Sequence, residues 1–267
     1  MPRAEINGHV MYYEIHGDGD PVVCSGGWGT FCHGNARHLP SGLTDQYSVI
    51  IFDHRGLGES TDDADVPATT ALYAGDVAVL LEHLGVDRAH MLGIAGIGSC
   101  LGQELAIGCP ERVRSLAMSG TWARADAYFR AQLELWRRMH EDMGFYAFQQ
   151  EIVLASYDAE FYARYHDRLL GPAGGWSELR DKFEAHSRLT DAALNHDTVD
   201  RLAQISAPSL VVHAGRDLLT APRLSVPVEE GIRGARAWMM SDSAHVITDR
   251  RSRREFADLL LDFLASH

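Results

Sequence analysis

Several stretches of this 267-residue chain place reactive or hydrogen-bonding residue types directly after short apolar runs. Ser25-Gly26-Gly27-Trp28-Gly29 is a glycine-rich turn whose bare backbone can offer amide donors to a developing negative oxygen. Gly93-Ile94-Ala95-Gly96-Ile97-Gly98-Ser99 follows a third such run. Asp217, in Gly215-Arg216-Asp217, and His245, in Ser243-Ala244-His245, each stand just past a later one. A carboxylate that accepts a hydrogen bond from one imidazole nitrogen fixes the tautomer and leaves the other nitrogen free to take a proton. Such a pair is a general base. In an open parallel sheet ligands bind beyond the carboxyl ends of the strands, so these are the positions where a site would form.

The elements that must carry these residues are visible as a rhythm. Residues 4–6 and 10–15 flank an Asn7-Gly8 turn and predict a hairpin. Apolar runs at 22–24, 49–52, 90–92, 116–119, 210–213 and 237–240 then alternate with longer amphipathic segments. Residues 71–84, for example, are expected to form a helix with Leu72, Val79, Leu80 and Leu84 on one face, stopped by Gly85. Alternation of this kind implies a mostly parallel sheet covered by helices. Between residues 122 and 205 the rhythm breaks. Tyr128, Phe129, Trp136, Phe145, Tyr146, Phe148, Tyr157, Phe161, Tyr162 and Tyr165 fall there at helical spacing with no clear strand, which suggests an inserted helical cap over a core of residues 1–121 and 206–267. The stripe is read first as packing, and the loop Gly171-Pro172-Ala173-Gly174-Gly175 as a connection with hinge potential.

After the second parallel run stands Asp53-His54-Arg55-Gly56-Leu57-Gly58-Glu59-Ser60. This stretch resembles the D-x-R-G-x-G-x-S sequence of α/β-hydrolase-fold enzymes, and the resemblance extends over essentially the whole chain. It implies that Asp53 and Arg55 tie loops together without touching substrate. It further implies a strand-to-helix nucleophile elbow in the 93–99 stretch, a triad acid at Asp217 and a triad histidine at His245, in the family's chain order. The oxyanion donors are then expected around Gly26, Gly27, Trp28 and Gly96. The spacing is similar to that of small bacterial hydrolases that open enol-lactones, esters or carbon-carbon bonds.

One family feature is missing. Counting forward from the strand puts the nucleophile at Ala95, the preferred position, and counting back from the helix puts it at Gly96, so neither supplies a hydroxyl or thiol. Ser99 and Cys100 fall on the following helix and are expected to be packed or capping residues. Three readings stay open: a hydrolase whose serine has been replaced by alanine to trap a ligand; a natural His/Asp enzyme working without a covalent intermediate as hydrolase, lyase, decarboxylase or oxygenase; and a small-molecule binding protein without catalysis. The aromatic-rich 122–205 segment suggests a mostly apolar, aromatic or polyketide-like substrate.

Composition narrows the remaining classes. A net charge of −13 and a basic run, Arg250-Arg251 and Arg253-Arg254, broken by acids on either side argue against nucleic acid. No apolar run suits a leader peptide or a membrane span, and Cys24, Cys32, Cys100 and Cys109 lack metal-binding spacing, so reduced thiols in a cytoplasmic enzyme are expected. No metal or organic cofactor is implied. Of the other histidines, His54, His140, His166, His186 and His196 are expected to be solvent-facing or locally hydrogen-bonded, with His33 worth watching beside the glycine-rich turn.

Overall fold

The computed structural model describes residues 2–28 and 35–267, so the expectations for His33 and Cys32 lie outside the described residues. Asn7 and Gly8 both take positive φ, 45° and 79°, and turn β1 (Arg3–Ile6) back onto β2 (His9–His16). Six further strands follow: β3 (Asp20–Ser25), β4 (Tyr47–Phe52), β5 (Ala89–Ile94), β6 (Val113–Ser119), β7 (Ser209–Ala214) and β8 (Arg236–Met240). They form one sheet in the order β1-β2-β4-β3-β5-β6-β7-β8, antiparallel at β1 and β2 and parallel from β4 to β8.

The central strands read as unbroken apolar runs because both faces are covered. Val23, Ile50, Phe52, Met91, Leu116 and Val211 pack in one layer with α1 (Thr70–His83) and α2 (Ile97–Gly108). Their strand neighbours Val22, Cys24, Val49, Ile51, Leu92 and Leu210 point the other way, onto Phe256, Leu260 and Phe263 of the last helix, α8 (Arg250–Ala265). The period of two along each strand thus builds two cores from one set of runs. Helix α1 begins where the Thr69 side chain accepts from Leu72 N–H and ends at Gly85, φ +67°. Its buried stripe is Tyr73, Val77, Leu80 and Leu81, rotated from the expected face: Leu72 and Val79 lie at the flank because α1 packs on both the sheet and α2.

Between β6 and β7 the chain forms α3 (Ala127–Arg138), α4 (Phe145–Ser156), α5 (Ala159–Leu169) and α6 (Phe183–Asn195), with an isolated bridge between Arg124 and Asp197. Helices α3 and α5 start under the side chains of Asp126 and Asp158, each accepting an N–H three residues on. The Gly171–Gly175 loop is tied to its neighbours: Gly175 N–H donates to Leu169 O, and its carbonyl accepts from Gln149. A short helix, α7 (Pro222–Gly231), links β7 to β8.

The Asp53–Ser60 stretch ties loops, as the resemblance implied. Arg55 forks onto Asp76 of α1 at 2.6 and 2.8 Å and donates to the Asn7 carbonyl, while Asp53 accepts from Glu59 N–H. It fastens the hairpin turn to the sheet's first covering helix.

Candidate active site

Strands β3 and β5 are neighbours, yet the chain leaves them in opposite directions across the sheet, toward β4 and toward β6. This reversal opens a crevice at their carboxyl ends. The register pairs Ser25 with Gly93, so the Gly26-Gly27-Trp28 turn and the β5–α2 turn emerge side by side. The approach is close. A Cβ on Gly27 would lie 2.8 Å from the Ala95 carbonyl oxygen, and one on Gly98 would lie 2.3 Å from that of Ser25. Glycine is required at both for steric reasons.

The β5–α2 turn holds two consecutive residues at positive φ, Ala95 at 58° and Gly96 at 69°. Gly96, with ψ −132°, is the residue before α2, and Ala95 is the residue after β5. The forward and backward counts therefore disagree for a structural reason: the turn is spread over two residues, and each count lands on one. An alanine at φ +58° is strained backbone, which persists only where the surroundings impose it. Gly120, also at positive φ, packs beneath, where a Cβ would meet Ala95 Cα and Gly96 N at 3.2 Å. The Gly96 N–H donates to the Gly120 carbonyl at 2.9 Å. This amide is thus engaged with backbone, unlike the oxyanion role expected of Gly96, whereas Ile97, the first residue of α2, has an N–H with no acceptor inside the helix.

Ser99 and Cys100 are packed residues. Ser99 donates toward the carbonyls of Gly93 and Ser119 at 2.9 and 2.7 Å, and the fully buried Cys100 faces the Trp122 carbonyl, with burial pushing its thiol well up from the ordinary value.

Asp217 and His245, 28 residues apart in sequence, meet at the ends of β7 and β8. His245 Nδ1 lies 2.9 Å from Asp217 Oδ2. Their loops are tied by backbone: Arg216 N–H donates to Ser243 O, Gly215 N–H to Met240 O, and Val246 N–H to Ser156 O at the end of α4. The carboxylate is well supplied with donors. Leu219 N–H and Thr220 N–H reach Oδ1 at 2.7 and 3.0 Å, and the Thr220 hydroxyl donates to Oδ2 at 2.8 Å. Burial alone would raise this carboxyl, but the charge and hydrogen bond of His245 and the loop donors outweigh it and hold Asp217 below its ordinary range. With Nδ1 committed to the carboxylate, Nε2 is the nitrogen left for chemistry.

Gly27, Trp28, Ala95, Gly96, Thr220 and His245 line one side of a cavity of about 100 Å³. The other side is apolar and comes mostly from the segment after β6, including Trp122, Phe129, Trp136, Ile152 and Trp176. Of the aromatic stripe, Phe129 and Trp136 reach this cavity, Phe148 packs inside, and Tyr128 and Tyr146 are exposed. The indole N–H groups of Trp28 and Trp122 have no partner among the described residues. A larger open groove of about 950 Å³ runs past Phe161, Tyr165, Arg216, Arg250 and Arg251, with Asp158, Asp242 and Asp249 interspersed, and includes neither Asp217 nor His245.

A sequence profile described as the alpha/beta hydrolase fold matches residues 20–249. The chain belongs to the alpha/beta hydrolase fold family.

Among relatives of this hydrolase, a protein of Azorhizobium caulinodans named "Putative carbamate hydrolase RutD" is 35% identical over 263 residues, covering 93% of this chain and 92% of its own length. The fold is shared with the enol-lactonase from Burkholderia xenovorans LB400, at TM-score 0.86 and 24% identity, over 99% of this chain and 100% of that one. It is also shared with the alpha/beta hydrolase MGS-M2 from a Medee basin deep-sea metagenome library, at TM-score 0.87 and 21% identity, covering 99% and 97%. The eight-stranded, mostly parallel sheet is the hydrolase architecture expected from the sequence.

Sequence reasoning missed Thr220, Gly120, Trp122 and Trp176. Thr220 lies three residues after Asp217, the spacing at which a loop hydroxyl can turn back on a carboxylate, and that signal was available. The two tryptophans carried none, since only packing brings residues 54 positions apart in sequence to one wall. Of the two environments expected for the remaining histidines, solvent or hydrogen bonds, four take the second. His54, His140, His186 and His196 are buried, with His140 and His186 paired through Nδ1 at 2.9 Å and His196 on Thr70 at 2.9 Å.

Proposed function

We propose that this enzyme hydrolyses a small acyl compound, of the carbamate, ester or lactone type, by a route with no acyl-enzyme intermediate. His245, oriented by Asp217, acts as the general base, and residues 122–205 act as a cap that closes the site. One observation carries the reading: an imidazole anchored on a carboxylate with four donors shares a cavity with an elbow that has only Ala95 and Gly96 to offer. A single serine-to-alanine change would leave a one-residue turn, whereas this turn holds two consecutive positive-φ residues, the strained Ala95 and the permissive Gly96. That favours a protein built to work without the serine.

In the proposed step His245 Nε2 removes a proton from water as the water oxygen attacks the substrate carbonyl. The oxyanion formed is held by the N–H of Ile97 and by an amide of the Gly27-Trp28 turn. Collapse expels the alkoxide or amine, which takes the proton back from Nε2. General-base help contributes on the order of 10²- to 10⁴-fold, and each oxyanion donor about 10²- to 10³-fold. The small cavity supports a compact acyl portion, and the relative named as a carbamate hydrolase supports the carbamate class.

Methyl carbamate, with ammonia release followed, and 4-nitrophenyl acetate are suitable probes. The expected result is turnover without a pre-steady-state burst of 4-nitrophenol, with ¹⁸O from labelled water entering the acid product. A burst equal to the enzyme concentration, or products without solvent oxygen, would overturn the proposal; the latter points to elimination or oxygenation by the same dyad.

A further inference from the structure

Strand β4 lies beside β3, with Ile51 opposite Cys24, so the loop after β4 runs alongside the glycine-rich turn after β3. His54, second residue of the Asp53–Ser60 stretch, sits at this junction almost completely buried, edge-on to Phe52 and tilted against Tyr73. Its Nε2 is 3.1 Å from the Gly26 carbonyl oxygen. A carbonyl can only accept, so Nε2 carries the hydrogen. Nδ1 has no partner among the described residues, and burial pushes the imidazole below its ordinary value, which fits a neutral ring.

This contact has a directional consequence. The 26–27 peptide is trans, so its C=O and N–H point in opposite directions. Fixing the Gly26 carbonyl on His54 turns the Gly27 N–H away from His54. Gly27 lines the cavity, and its Cα lies 3.8 Å from where a Cβ on Gly96 would be. On its other side the carbonyl packs against the first turn of α2, where a Cβ on Gly98 would lie 2.6 Å from the Gly26 oxygen. We infer that His54 is a positioning residue, a buried hydrogen-bond donor that holds the Gly26-Gly27 peptide so that the Gly27 amide faces the oxyanion formed over the elbow. The inference rests on the proposed acyl hydrolysis. It also gives one position of the fold-marking stretch a part in the chemistry, through the peptide it holds.

Two variants separate this from a packing role. His54→Leu keeps apolar volume and removes the donor; His54→Gln puts an amide N–H near the place of Nε2. With methyl carbamate, His54→Leu is expected to lower kcat about 10- to 100-fold with KM within about threefold, since a misaimed oxyanion donor is felt in the transition state more than in binding. His54→Gln is expected to recover kcat to within about fivefold of the parent. Equal losses in Leu and Gln, or a kcat in His54→Leu within twofold of the parent, would overturn the inference. Independently of any substrate, ¹⁵N-correlated NMR of the imidazole should show the neutral tautomer with hydrogen on Nε2, and hydrogen on Nδ1 alone would overturn it. If His245→Ala leaves activity intact, the proposed function fails; if it abolishes activity while His54→Leu does not, only the present inference does.

Discussion

The loops at the carboxyl edge of the sheet and the helices between β6 and β7 meet at one cavity, yet they hold polar groups in opposite ways. On the sheet edge Asp217 keeps its charge, because three loop donors and His245 surround it and backbone bonds lock the loops that carry them. In and beside the helical segment the imidazoles of His140, His186 and His196 are buried against aromatic rings, and His186 and His196 are pushed down to about 3 and about 4, chiefly by burial, which at His196 outweighs the Glu104 carboxylate 3.9 Å away. One region stabilises charge and the other refuses it. The difference follows from what meets each group: the strand-end loops turn N–H and O–H donors onto the Asp217 carboxylate, whereas burial strips water from imidazoles that would need acceptors to hold a second proton.

Removing the imidazole from the charged side should break the contrast most sharply. His245→Ala is expected to lower kcat/KM on methyl carbamate by roughly 10³-fold, with a stability loss smaller than that of a core truncation, because the ring sits at the cavity wall and Asp217 keeps its three loop donors. Equal loss of folding stability and rate would erase the distinction between the regions. On the apolar side Trp122→Ala should do the reverse. Its ring is fully buried at 4.9 Å from Phe129, so truncation is expected to cost roughly 3–5 kcal/mol in denaturant unfolding and to raise KM more than it lowers kcat.

Acid should act on the helical side next. Below the ordinary histidine value of about 6.5 the unfolded chain binds protons that folded His186 and His196 do not, so stability is complete above that pH and falls as pH drops toward 4. At pH about 5.5 each site should have lost about 1–2 kcal/mol, read as a lower urea midpoint. The lowered Asp217 carries the same sign in a more acid window: its contribution is full above the ordinary carboxylate value of about 3.8 and is lost as pH falls from there through its folded value. An acid transition centred well above pH 6.5 would contradict this account. The smallest expected effect belongs to Thr220→Val, which removes one of the donors on Asp217 and should slow turnover about tenfold with little change in stability.

Much of this was legible in the sequence. Asn7-Gly8, the alternating apolar runs and the Asp53–Ser60 stretch were enough for the hairpin, the parallel sheet and the fold family, because turn chemistry and hydrophobic period are local properties. Asp217 and His245 were legible as residues just past strand ends. Thr220 was within reach and overlooked. The elbow was legible as a contradiction only: two counts that differed by one residue, which the paired positive φ values of Ala95 and Gly96 account for.

The sequence by itself thus determined which elements form and which residues stand at their ends, and also that no hydroxyl or thiol stands at the elbow. Tertiary structure alone decided which amides remain free to act, since the Gly96 N–H is taken by Gly120 and the Gly26 carbonyl by His54, partners 24 and 28 residues away in sequence. It also decided that Trp122, Trp136 and Trp176 share one wall. The physical reason is that secondary structure follows from short-range periodicity, whereas the direction of a loop amide and the contents of a cavity depend on strand register, and register is a property of the whole sheet.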